Sequence, residues 1–267
     1  MNRALLAGIN SYPGSPLRGC LNDISDMASF LTACCGFSRE SIRMIADSRA
    51  TKKAIIDRLG WLLTGIQPGD RVLFHYSGHG VQLPTRNRQG EVDGLDEAIC
   101  PYDFDWTDEH TIRDKDFEQI FSVIPPGVEF LWISDSCHSG DLQREMFSPD
   151  HSKKTIVPPI DIDWRLQTAK SKQIQASGLQ RTATRLNLAL ISGCKDNQTS
   201  ADALINNRYN GALTYYLLEE LKKQDGLSIP LTELITRVNE VLDEEGFSQD
   251  PQLAGSRAIE HRPFLKA

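Results

Sequence analysis

Apolar residues in the first half of the chain alternate between two rhythms. Ala4–Ile9 is a short apolar run closed by the Pro/Gly-rich Tyr12-Pro-Gly-Ser-Pro16, which predicts a buried strand leading into a loop. Leu21, Ile24, Met27, Ala28 and Leu31 recur at helical spacing, and Gly36 is placed to stop that helix. Ile42–Ala46 reads as a strand, and Thr51 as the N-cap of a helix carrying Ile55, Ile56, Leu59, Leu62 and Leu63. The turn Pro68-Gly-Asp70 leads into a strand at Val72–Tyr76. A further strand is expected at Glu97–Cys100, a short helix capped by Asp114 and running to Ile120, and a strongly apolar strand at Val128–Ser134. Strands alternating with helices predict an α/β fold, with a mostly parallel central sheet covered by helices on both faces.

The rhythm fails between about residues 143 and 185. Large apolar residues are sparse there, Pro158 and Pro159 are adjacent, and eight basic side chains face four acidic ones. This interval is expected to be a long, flexible, basic surface linker. Periodicity returns with a strand at Leu188–Ser192 and helices near Leu213–Leu221 and Leu231–Leu242. The chain thus reads as two parts, 1–142 and 188–267, completing one sheet across a linker at 143–187.

Charge and composition narrow the function. The 267 residues carry 29 basic and 36 acidic side chains, a net charge of −7, which disfavours nucleic acid as a partner. No apolar run approaches the ~20 residues of a membrane span, and the first ten residues do not read as a secretory signal. Six cysteines without a CxxC pair fit reduced thiols in the cytoplasm, and argue against zinc-ribbon and thioredoxin chemistry.

Two of the predicted strands end in polar, glycine-containing sequences. Arg71-Val-Leu-Phe-His-Tyr-Ser-Gly-His-Gly80 brings a Gly-flanked His79 to a strand end, and Phe130-Leu-Trp-Ile-Ser-Asp-Ser-Cys-His-Ser-Gly140 does the same for Cys137. Ligands of a parallel sheet bind beyond the carboxyl ends of its strands, so an imidazole and a thiol would meet at one edge. A thiol is a weak nucleophile until a base favours its thiolate, the task to which His is suited. The N–H groups of Gly80 and Cys137 are placed to serve as an oxyanion donor pair. Asp135, two residues before the thiol, would repel an acidic substrate side chain and attract Arg or Lys.

The motifs Tyr76-Ser-Gly-His-Gly80 and Asp135-Ser-Cys-His-Ser-Gly140, whose His79 and Cys137 are 58 residues apart, closely resemble those of the metacaspase branch of the caspase-like (clan CD) cysteine peptidases. Within it the chain looks most like the prokaryotic proteins called orthocaspases. The resemblance covers nearly the whole chain and implies a caspase-like three-layer sandwich, with a large-subunit-like part (1–142) and a small-subunit-like part (188–267). It assigns His79 as general base and acid, and Cys137 as nucleophile. It also implies a pocket for a basic P1 side chain, the residue just before the cleaved bond, lined by Asp135, Ser77, Cys20 and Asp23, the last two from Leu17-Arg-Gly-Cys-Leu-Asn-Asp23. The expected activity is therefore endopeptidase cleavage of protein or peptide substrates after Arg or Lys, by a monomer. The family's self-processing makes Arg144, Lys153, Lys154, Arg165, Lys170, Lys172, Arg181 and Arg185 candidate cut sites, among which the sequence does not choose.

No cofactor is expected. Residues 91–118 hold eleven acids and two bases, a composition suited to calcium, but Asp103-Phe-Asp-Trp-Thr-Asp108 is not an EF-hand. By the resemblance, Asp96 and Asp114 match two of the family's calcium-binding acids, while Lys115 and Arg144 stand where two others belong, which favours calcium independence. Rival readings are weaker. A Cys-dependent phosphatase needs Cys-x5-Arg, and Arg144 stands at Cys-x6-Arg. A zinc site at His75-x-x-x-His79 would need one helix face, where a strand is predicted. The non-enzyme alternative is a catalytically silent, caspase-like interaction module, against which the chain retains both His79 and Cys137. His138 is not expected to be catalytic. The loop Ser192–Asp202 is expected to border the crevice, with Asp202, Asp196 or neither assisting a basic substrate.

Overall fold

A computed structural model of the chain describes residues 1–85, 95–137, 151–170, 178–186, 188–195 and 198–265. In chain order its elements are β1 (Asn2–Gly8), α1 (Cys20–Cys34), β2 (Ile42–Ala46), α2 (Lys52–Leu63), β3 (Arg71–Ser77), β4 (Gly80–Pro84), β5 (Leu95–Ile99), β6 (Ile112–Arg113), α3 (Asp114–Phe121) and β7 (Glu129–Asp135). There follow β8 (His151–Lys153), α4 (Ile160–Lys170), α5 (Gly178–Arg185), β9 (Ala189–Ser192), β10 (Ala201–Ile205), β11 (Arg208–Gly211), α6 (Ala212–Lys222), α7 (Leu231–Glu244), β12 (Gln252–Gly255) and α8 (Arg257–Glu260).

Six strands form the central sheet in the order β12-β9-β7-β3-β1-β2. Its internal pairs are parallel, and only the edge strand β12 runs antiparallel. Alternate residues of each strand point to opposite faces, so the sheet has two cores. Leu5, Phe74 and Trp132 pack with Ile55, Leu59, Phe117 and Phe121 of α2 and α3. Leu6, Leu73, Leu131 and Ile133 pack on the other face with Ile24 and Met27 of α1, Leu213 and Leu217 of α6, and Leu234 and Val238 of α7. This is the three-layer α/β sandwich with a mostly parallel sheet that the hydrophobic pattern predicts. The late strand β9 joins it by pairing with β7, from Leu131↔Ala189 to Ser134↔Ser192.

Three local expectations need correction. Asp114 is the first residue of α3 rather than its cap; the Asp116 carboxylate reaches back to the Arg113 amide, at 2.9 Å. The interval 143–187 is not a bare flexible linker over its described residues. It supplies β8, α4 and α5, and α5 turns Leu179, Thr182 and Ala183 inward, the first and last joining the core beside Phe117 and Phe121. Two small antiparallel sheets also frame the crevice at the strand ends, β4-β5-β6 and β11-β10-β8, of which the pattern of apolar residues foretold only β5. Among the described residues no helix is long and apolar enough to cross a membrane.

Candidate active site

Neighbouring strands β3 and β7 end in register, Ser77 opposite Asp135. The chain leaves both at the same sheet edge, and His79 and Cys137 follow two residues later. Both side chains are buried. His79 is held on every side. Its amide donates to the Tyr12 hydroxyl (3.2 Å), and its carbonyl accepts from the Tyr76 hydroxyl (2.7 Å) and the Cys100 amide (2.9 Å). The ring lies 4.5 Å from that of Tyr12. Nε2 sits 2.7 Å from the Ser15 carbonyl. A carbonyl only accepts, so the ring proton resides on Nε2 and Nδ1 keeps its lone pair. Nδ1 is buried and has no hydrogen-bond partner, which leaves it available as a base. Burial pulls the His79 pKa down to about 4, against the Ser15 and Lys154 backbone groups, which favour the protonated ring.

The Cys137 thiol donates to the Gln198 carbonyl (3.1 Å), and the Cys194 thiol donates to the same oxygen (3.3 Å). The proximity of Cys137, together with burial, raises the Cys194 thiol pKa. The loop Ser192–Asp202 does therefore border the crevice, as its sequence suggests.

The crevice is filled by the protein's own residues 151–155. β8 pairs antiparallel with β10, His151 opposite Ala203 and Lys153 opposite Ala201, and the Lys154 amide donates to the Ser200 carbonyl at 3.0 Å. The Lys154 carbonyl oxygen accepts from two amides, Gly80 at 3.0 Å and Cys137 at 3.2 Å. These are the two N–H groups singled out in the sequence as an oxyanion pair. Thr155 bridges to Gly80, its hydroxyl donating to the Gly80 carbonyl at 3.1 Å.

The Lys154 side chain enters a pocket in which it is wholly buried. Its Nζ lies 3.0 Å from Asp135 Oδ1, 3.3 Å from Asp23 Oδ2 and 2.9 Å from Ser77 Oγ. Burial alone would discharge the ammonium, but the carboxylates of Asp135, Asp23 and Asp202 reverse this and hold its pKa above the ordinary lysine value. Asp135, Ser77 and Asp23 thus converge on one cation. Cys20 is buried beside Lys154, Asp23 and Ser77; burial pushes its pKa up, which keeps it a neutral thiol.

Donors from the second half of the chain orient the two acids. Asp135 accepts from the Thr214 amide (3.0 Å) and hydroxyl (2.7 Å) and from the Ser200 hydroxyl (2.8 Å). Burial opposes its charge, but Lys154 and these donors keep its pKa below the usual carboxylate range. Asp23 accepts from Ser77 (2.7 Å), Asn210 (3.0 Å) and the Gly211 amide (2.9 Å), yet burial raises its pKa to about 6. A Cβ on Gly211 would collide with Lys154 Nζ and Asp135 Oδ2 and lie 2.7 Å from Asp23 Oδ2, so only a glycine lets a basic head group reach the acids. Asp202 accepts from the Arg18 (2.7 Å) and Gly19 (2.7 Å) amides, and so anchors the loop leading into α1 at Cys20 while adding its charge to the field on Lys154.

Ser15, Ser200, Asn210, Gly211 and Thr214 escaped the sequence reading; each acts through backbone or a short polar side chain, and none carries a motif of its own. His138, Arg144, Lys172 and Asp196 lie outside the described residues.

Asp96 and Asp114, the acids matched to calcium ligands, are already engaged. Asp96 receives Lys115 Nζ on one oxygen (2.9 Å) and Arg113 on the other (2.8 Å), and Asp114 Oδ1 accepts the Lys115 amide (2.9 Å). Among the described residues no group of three or more acidic, His or Cys side chains is arranged to hold a metal ion. The Asp96 carboxylate is thus shared between the Lys115 ammonium and the Arg113 guanidinium.

Comparison with known proteins gives a consistent picture. The metacaspase, peptidase C14 domain matches residues 2–144. Metacaspase-1A of Aspergillus fumigatus is 31% identical over 293 aligned positions, covering 97% of this chain and 69% of that protein. Metacaspase-1 of Coccidioides immitis is 32% identical, with 97% and 62% covered. The crystal structure of protein GSU0716 from Geobacter sulfurreducens superposes with a TM-score of 0.72 at 26% identity, covering 100% of this chain and 98% of that one.

Proposed function

The chain belongs to the metacaspase family, peptidase C14, and is a cysteine peptidase; from that premise we propose that it cleaves peptide bonds after Lys or Arg with a His79/Cys137 dyad, and that its first substrate is its own Lys154–Thr155 bond. One observation carries this reading: Lys154 lies in the crevice as a substrate would, its carbonyl on the Gly80 and Cys137 amides and its ammonium on Asp135 and Asp23.

The proposed reaction is acyl transfer to the Cys137 thiol followed by hydrolysis. His79 Nδ1 takes the thiol proton, and the Cys137 thiolate adds to the Lys154 carbonyl carbon. The negative charge that develops on the oxygen is met by the two amides already pointing at it. His79 then delivers its proton to the Thr155 nitrogen, the C–N bond breaks, and Lys154 is left as a thioester on Cys137. Water gives a proton to His79 and adds to the thioester; the thiolate leaves and recovers the proton, freeing the Lys154 carboxylate. Ser15 is a positioning group here, since its carbonyl keeps the ring proton on Nε2 and the basic lone pair on Nδ1.

Peptides that differ only at P1 test the specificity. Arg and Lys peptides are expected to exceed an Asp peptide by at least ~10²-fold in kcat/KM, because an acidic side chain would face Asp135 and Asp23 with like charge. Equal or better turnover of the Asp peptide overturns the assignment. An electrophilic peptide ending in an arginine mimic should modify Cys137 covalently; folded protein that stays unlabelled favours a silent binding module.

Metal independence is part of the same reading. Lys115 and Arg113 neutralise Asp96 from within, so a chelator is expected to leave peptide turnover within about twofold of the untreated enzyme. A large loss restored by added calcium contradicts it.

A further inference from the structure

We infer that Phe247 forms a specificity subsite for the fourth residue before the cleaved bond (P4), one that favours a planar ring, so that preferred substrates read ring-x-x-Lys or ring-x-x-Arg. This rests on the reading that residues 151–155 lie in the crevice as a substrate does.

With Lys154 at the cleaved bond, the register of β8 makes Lys153, Ser152 and His151 the second, third and fourth residues before it. The segment binds by strand addition to β10, a mode in which backbone hydrogen bonds supply affinity and alternate side-chain positions supply specificity. Beyond the Lys154 pocket, the one ring contact of this segment among the described residues is at its far end. The His151 imidazole lies 5.5 Å from the Phe247 ring at 32° between planes, a tilted arrangement within the centroid spacing aromatic pairs favour.

Phe247 is set in place before any substrate arrives. α7 ends at Glu244; Gly246 takes φ +80°, and the Phe247 amide donates back to the Leu242 carbonyl at 2.9 Å. That is a Schellman-type stop, which fixes the backbone of the residue after the glycine. Behind the ring, Tyr216 of α6 meets it edge-on at 5.8 Å and 64°. Two residues further, Gln249 accepts from the Ala201 amide (2.9 Å) and donates to the Gly193 carbonyl (3.0 Å), tying the same loop to the start of the strand on which the substrate pairs. The ring is thus a rigid platform at a constant distance from the bond to be cut. His151 is exposed, so the contact is one-sided and its effect moderate.

Tetrapeptide substrates X-Ser-Lys-Lys with a fluorogenic leaving group test this on the self-processed wild-type enzyme. With X = His, Phe or Tyr, kcat/KM is expected to exceed that for X = Ala by about fivefold, the size of one aromatic pair. In Phe247→Ala the preference should collapse to near unity while turnover of the Ala peptide persists; Phe247→Leu keeps an apolar platform and should show an intermediate ratio. Equal turnover of ring and Ala peptides by the wild type overturns the proposal and needs no variant to fold. An unchanged ratio in Phe247→Ala overturns it equally. Failure of the underlying reading looks different: no X-Ser-Lys-Lys peptide is turned over at all.

Discussion

Purified wild-type protein should resolve into two fragments, residues 1–154 and 155–267, and Cys137→Ala should remain whole. Because the segment lies in the site of its own chain, the cut is expected to follow first-order kinetics at a rate independent of protein concentration. Lys154→Arg should still be cut at this position. Lys154→Ala should not, because the methyl leaves Asp23 and Asp135 facing each other in a buried pocket without a cation. Removing one partner of a buried ion pair costs about 3–5 kcal/mol, so occupancy of the crevice by the segment should fall by about two to four orders of magnitude. Lys154→Ala is accordingly expected to be uncut yet able to hydrolyse added Lys and Arg peptides. Amino-terminal sequencing of the smaller fragment decides the matter: a start other than Thr155, or a cut that persists in Cys137→Ala, refutes intramolecular processing at this bond.

The second large effect concerns Asp135. Asp135→Asn preserves the shape of the side chain and removes the charge 3.0 Å from the substrate ammonium. On the scale of a broken buried pair, kcat/KM for Lys and Arg peptides should fall by about 10²–10⁴. Alkylation of Cys137 by a small uncharged reagent such as iodoacetamide should be unaffected, since His79, Ser15 and the two amides are untouched. A parallel loss of alkylation would mean that Asp135 supports the thiol itself rather than the cation. Unchanged peptide turnover would remove the acids from the specificity argument.

The central sheet was legible because its strands are buried on both faces and so read as near-continuous apolar runs. Leu73-Phe-His75 and Phe130-Leu-Trp-Ile133 announce β3 and β7 without any knowledge of their neighbours, and the polar residues that follow announce the site. What stayed hidden depends on partners far away in the chain. β8 is three residues long with no apolar periodicity, and it exists because β10 pairs with it. Lys154 is one of eight basic residues in its interval, and only the pocket singles it out. That pocket is made by Asp23, Ser77 and Asp135 from the first part and by Gly211 and Thr214 from the second. Helix α5 leaves little trace in the hydrophobic pattern because its inward face shows a single large apolar side chain, Leu179, beside Thr182 and Ala183. Phe247 likewise looks like an ordinary residue after a helix until His151 is placed against it.

β7 precedes the Lys154–Thr155 bond and β9 follows it, yet the two run side by side in the middle of the sheet. Hydrolysis of that bond would therefore turn one chain into two, whose elements were interleaved before they were ever separate molecules. From then on their association obeys mass action: dilution works against it, as it never could against the intact chain. Neither half released into solution would retain a complete anionic cup for a guanidinium or ammonium guest.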